Sequence, residues 1–124
     1  MASVTARRVL RDRVRANRAA SAERRAVAQA ARRVRTGARS LVTHVIATGA
    51  DAATVKGVVK ALRTAAKNAG VKGRRAHIRR SFDGARNVVK TVYRYTRAQV
   101  AQIAAAYKPR KAEYKAVRAA LIAA

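Results

Sequence analysis

The sequence predicts an all-α protein, a small bundle of about four to five helices with a basic, partly mobile helical arm at its N-terminus. Three observations carry that expectation. Apolar residues recur at steps of three and four through most of the chain, residues suited to helix caps stand at the joints, and Ala, the best helix former, is abundant. The 124 residues have the length of one domain, expected to divide into an arm over 1–20 and a single helical domain over 21–124. Half the residues are hydrophobic, yet Leu, Ile, Val and Phe together supply only about a fifth, so the core must be thin.

Residues 1–20 hold one large apolar cluster, Val9, Leu10 and Val14, set among arginines, and so form a helix with little to pack against. Ser21 is suited to cap a second helix, whose stripe runs Val27, Ala30, Val34, Ala38, Leu41 and Val45. Gly37 would bend its middle and Gly49 would end it. Asp51 caps a third helix over Val55, Val58, Val59, Leu62 and Ala66, with Gly70 as its stop. Val71 to Arg80 reads as a basic loop.

Ser81 or Asp83 then starts a helix carrying Val88, Val89, Val92 and Tyr93 on one side. Thr96 and Gln99 fit a capping box before Val100, Ile103, Ala104 and Tyr107, and Pro109 suits the first turn of a last helix with Tyr114, Val117 and Leu121. No strand is expected. Asp83-Gly84 is flanked by helix-type patterns, and no stretch alternates long enough to suggest a sheet. Phe82 and the four tyrosines all fall after residue 80, which places the best packed part at about 81–124.

The formal net charge is +25, from 30 Lys and Arg against five acids, so internal neutralisation is impossible. A polyanion relieves that self-repulsion, and nucleic acid does so with release of condensed counterions. The chain is therefore expected to bind DNA or RNA through phosphates with little sequence specificity, as a compacting, coating or architectural protein. The alternative is a structural or assembly protein of a virus particle or ribonucleoprotein particle that touches the packaged genome or RNA with its basic arm. Such a protein would meet a protein partner, or itself, through the C-terminal third. A membrane-active role is disfavoured by the lack of Trp and the scarcity of Phe and Leu. No signal-peptide core or spanning segment is read, and the expected location is intracellular or within a nucleoprotein particle.

The candidate nucleic-acid-binding residues are Arg7, Arg8, Arg11, Arg15, Arg18, Arg25, Arg32, Arg39, Lys72, Arg74, Arg75, Arg79, Arg80, Lys108, Arg110 and Lys111. Arg25, Arg32 and Arg39 recur every seven residues as a ridge. Gly70 and Gly73 flank Lys72 and let the backbone approach a phosphate chain closely. Arg dominates the first 55 residues, where no Lys occurs, and guanidinium binds phosphate bidentately. Tyr93, Tyr107 and Tyr114 share faces with Val, Ile and Leu and are read as core, leaving Tyr95 open as a stacking residue.

No enzyme activity and no cofactor are expected. Cysteine is absent, His44 and His77 lack carboxylates at ligand or dyad spacing, and the five acids form no paired cluster. Ser21 and Ser81 are accounted for as caps. The 96–121 stretch resembles a helix-turn-helix only loosely, since its last helix offers Lys115 and Arg118 amid Ala in place of base-reading side chains.

Overall fold

The computed structural model describes residues 3–82 and 84–124; for Arg80, Ser81, Phe82 and 85–87 only the backbone is described. In chain order the elements are α1 (Val4–Thr36), α2 (Leu41–Ile46), α3 (Ala52–Ala69), β1 (Arg74–Phe82), β2 (Ala85–Arg94), α4 (Arg97–Ala106) and α5 (Ala112–Ala123). The protein is mostly helical, but it carries a two-stranded sheet that the helical periodicities concealed.

α1 begins at Ser3, whose hydroxyl accepts from the Ala6 amide, and runs unbroken past the expected joint at Ser21. Ser21 therefore caps nothing. Its hydroxyl and carbonyl instead take hydrogen bonds from Arg24 and Arg25. The 33-residue helix is about 50 Å long, yet its only buried residues are Ala30 and Val34, near its end. Val9, Leu10 and Val14 are exposed. Gly37 separates α1 from α2 where the sequence suggests a bend within one helix, and the break is closed by side chains: Thr36 Oγ1 and Arg39 Nε both donate to the Arg33 carbonyl.

The core lies between α2, α3, α4 and α5. Leu41, Val45, Val58, Leu62, Val100 and Ile103 are its centre, joined by Val117 and Leu121 from α5. α3 keeps the predicted stripe, and Gly70 ends it in the left-handed conformation at φ 70°, where the Val71 amide reaches back to the Ala66 carbonyl and the Val71 side chain packs on the core. The capping box of α4 is present as predicted, with Gln99 N donating to Thr96 Oγ1 and Thr96 N to Gln99 Oε1. Pro109 sits before α5 and outside its first turn; Lys111 is the N-cap. Tyr114 lies over α3 at Gly57, where a Cβ would stand 2.8 Å from the tyrosine Cζ.

The largest correction concerns residues 74–94. The expected basic loop is β1, and the helix expected from Ser81 or Asp83 is replaced by the end of β1 and by β2; Asp83 itself lies outside the described residues. The strands are antiparallel, pairing Arg74 with Arg94 through Arg80 with Val88, and the register shifts by one before Phe82 pairs with Ala85. Gly84, at φ 80°, lies between the two strands. An Asp-Gly pair in that place is a strong hairpin signal. Val88, Val89, Val92 and Tyr93 can be drawn on a helical face, but Val-Val-Lys-Thr-Val-Tyr is dense in β-branched and aromatic residues that favour a pleated strand. Among the described side chains of 72–99 none is buried in the core and Tyr95 packs against it from its edge, so the well packed region begins at α2 and resumes at α4.

Candidate nucleic-acid interface

Two elements extend from the helical body, and both carry the basic side chains singled out above. On α1, Arg7, Arg11, Arg18, Arg25 and Arg32 are exposed and, at 3.6 residues per turn, fall within about 60° of one another along about 37 Å of helix. Arg8 and Arg15 flank that row, also exposed. The acids of this helix, Asp12 and Glu23, lie away from the row, so its charge is uninterrupted.

The second element is the β-ribbon. Alternation along its strands sends Arg75, His77 and Arg79 to one face, beside Tyr93, Thr91 and Val89 across the register. Every one of these six is exposed, Tyr93 at 53% and Val89 at 52%. Tyr93 is therefore not a core residue, contrary to the sequence reading, because its strand projects beyond the body. His77 Nδ1 and Thr91 Oγ1 lie 3.4 Å apart across the strands. The opposite face holds the half-buried Ala76, Ile78, Val92 and Arg94, with Arg74 exposed at its root and Val88 and Lys90 exposed farther out. The backbone of Arg80 belongs to β1; its side chain is not described.

The ribbon is clamped at its root. Arg39 and Tyr95 exchange two backbone hydrogen bonds, of 3.0 and 2.7 Å, and the buried His44 donates from Nε2 to the Tyr95 carbonyl at 2.8 Å. Burial holds the His44 pKa below its ordinary value of 6.5, with the Arg97 charge acting in the same direction and backbone hydrogen bonds to Tyr95 and Arg39 opposing. From the other strand, the Lys72 carbonyl accepts from Gln99 Nε2 at 3.2 Å, while Gly73 lies so near the Tyr95 ring that a Cβ would stand 2.9 Å from Cζ. Gly73 is therefore needed for close packing at the ribbon root, and Tyr95, left open by the sequence, is part of that packing.

The remaining candidates separate. Lys72 is exposed beside the ribbon root, and Lys108, Arg110 and Lys111 are exposed between α4 and α5, with the Lys111 ammonium 5.4 Å from the Tyr114 ring centroid. Arg39 does not continue the α1 ridge; it is half-buried and its guanidinium holds the end of α1. Arg118 is similarly engaged, donating from Nε to the Ala104 and Tyr107 carbonyls at 2.9 and 2.7 Å. Tyr107 and Tyr114 are half-buried against the core as expected, and burial raises the Tyr107 pKa, with Tyr114 nearby adding to the shift.

A further basic row escaped the sequence reading. Lys56, Lys60, Arg63 and Lys67 are exposed along α3 within about 60° of each other, and their spacing of four, three and four was the signal. Among the described residues no group of three or more His, Cys, Asp or Glu could hold a metal ion, and no helix is long and apolar enough to cross a membrane. Compared with known protein families, characterised proteins and solved structures, the chain matches none.

Proposed function

We propose that this protein binds nucleic acid through its phosphates, as a compacting, coating or architectural factor, using α1 and the β-ribbon as two basic arms on a small helical body. The observation that carries the reading is that the cationic side chains are concentrated on elements the core does not need. An α1 of 33 residues with two buried ones, and a ribbon with a wholly exposed face, gain little stability from the body. Their exposed surfaces serve contact. Arg side chains in rows supply bidentate phosphate donors, and every neutralised phosphate releases counterion.

The test is a titration of the whole protein against duplex DNA, single strands, structured RNA and anionic vesicles across a salt series. Nucleic acid is expected to bind with log affinity falling steeply and linearly against log salt, and with little change between unrelated sequences of one type. Binding confined to vesicles, or affinity indifferent to salt, refutes the reading. A second reading, a component of a nucleoprotein particle, uses the same arms and adds a protein contact. The exposed Leu10 and Val14 on α1 favour it, and sedimentation of the protein with and without nucleic acid separates a monomeric binder from an assembling one.

A further inference from the structure

We infer that the β-ribbon is a groove-reading element for duplex DNA, entering the major groove with the face that carries Arg75, His77, Arg79, Val89, Thr91 and Tyr93. The inference rests on the nucleic-acid reading above and narrows it from polyanions in general to B-form duplex. Four features of the ribbon lead there.

The first is reach. β1 spans nine residues, about 30 Å, and the ribbon is held at its root on both strands through Lys72, Gly73 and Tyr95. A cantilever fixed at one end and uncovered along a face is built to be inserted. The second is orientation. Ala76, Ile78, Val92 and Arg94 on the opposite face are half-buried while Arg74, Val88 and Lys90 there are exposed, and all six residues of the Arg75 face are open to solvent.

The third is width. Two paired strands lie about 4.8 Å apart, and with backbone and side chains they fill a groove about 12 Å wide such as the B-DNA major groove, while the minor groove at about 6 Å is too narrow. The major groove of A-form RNA is deep and narrow and closed to such an element. The fourth is chemistry. Arg75 and Arg79 place guanidinium donors two residues apart from His77 along one strand, able to meet guanine O6 and N7 or a flanking phosphate. Val89 and Thr91 place methyl groups on the facing strand, where thymine methyls lie in this groove. Charges that served only to keep a sheet edge from pairing would not require an apolar and aromatic column exposed beside them.

The experiment uses the full chain with a duplex DNA, a duplex RNA of the same sequence and the single strands, all at one salt concentration, read by fluorescence anisotropy. Duplex DNA is expected to bind at least about tenfold more tightly than duplex RNA, as the groove geometries require. The Arg75→Gln, Arg79→Gln pair is expected to bring the two affinities within about twofold, whereas Arg7→Gln, Arg11→Gln and Arg18→Gln together weaken both and leave their ratio unchanged. Circular dichroism checks that each variant keeps its fold. On the unaltered protein, guanine N7 is expected to be protected from dimethyl sulfate, and a minor-groove ligand such as netropsin is expected not to displace the protein. Equal affinity for duplex DNA and RNA, or unprotected N7, overturns the groove inference while leaving phosphate binding standing. Absence of binding to every nucleic acid overturns both.

Discussion

Replacing Gly57 by Ala should destabilise the protein even though it improves the helix it sits in. In an exposed helix interior that change gains about 1 kcal/mol. Here the new methyl would overlap the Tyr114 hydroxyl oxygen and stand 2.8 Å from Cζ and 3.3 Å from Cε2, inside the optimum of about 3.5–4.0 Å for carbon pairs. The ring must withdraw or α5 must shift, and overpacking of this kind costs about 1–3 kcal/mol. With about 2 kcal/mol as the central cost, the net is a loss of about 1 kcal/mol, or about 4 °C in melting temperature for a domain of this size. The decisive assay is a double-mutant cycle by urea denaturation with Tyr114→Leu, a side chain that keeps apolar contact but lacks Cζ and the hydroxyl. In that background Gly57→Ala should stabilise by about 1 kcal/mol, a reversal of sign and a coupling of about 2 kcal/mol. If the alanine has the same effect in both backgrounds, Tyr114 does not rest on α3 and the account of how α5 docks is wrong.

Three further outcomes are expected. Gln in place of Arg74, Arg75, Arg79 and Arg80 should flatten the slope of log affinity against log salt on duplex DNA by up to about four units; an unchanged slope would remove the ribbon from the interface. Because the folded pKa of His44 is lowered from 6.5, the unfolded chain takes up the proton first as pH falls. Its stability contribution is therefore full above pH 6.5 and declines as pH drops from there towards the lowered value, which urea midpoints at several pH values would detect and His44→Phe should abolish. In hydrogen exchange, amides of 5–20 on α1 should exchange well before those of 55–66 on α3, since the former cover no core; equal protection would mean that α1 is packed against something.

What was legible in the sequence follows the range of the forces that decide each element. The stripe and caps of α3 and the capping box of α4 are local, and the chain declares them within a few residues. The continuity of α1 through Ser21 is also local, but a serine is tolerated inside a helix as well as at its start, so the residue type alone does not choose. The hairpin was hidden because Val88, Val89, Val92 and Tyr93 fit two periods at once. The register with β1 decides between them, and the Asp-Gly pair in the sequence was the signal to weigh more heavily. Among the site residues, the α1 row could be read from spacing, whereas the engagement of Arg39 and Arg118 with helix-end carbonyls depends on contacts that only folding creates.

The hydrogen bonds between Arg39 and Tyr95 tie the chain just after α1 to the chain just after β2, so the roots of the two arms meet at one residue pair. If the chain binds nucleic acid as proposed, then once either arm has landed the other is no longer free in solution but is delivered to the same stretch of polymer at a high effective concentration, of order millimolar for a short tether. The grip is then bivalent. Loss of one arm should raise the dissociation rate far more than its own contacts would suggest, and loosening the junction, with both arms intact, should act in the same way. A small body with few buried side chains can in this way hold a polyanion for long periods through contacts that are individually weak and readily exchanged.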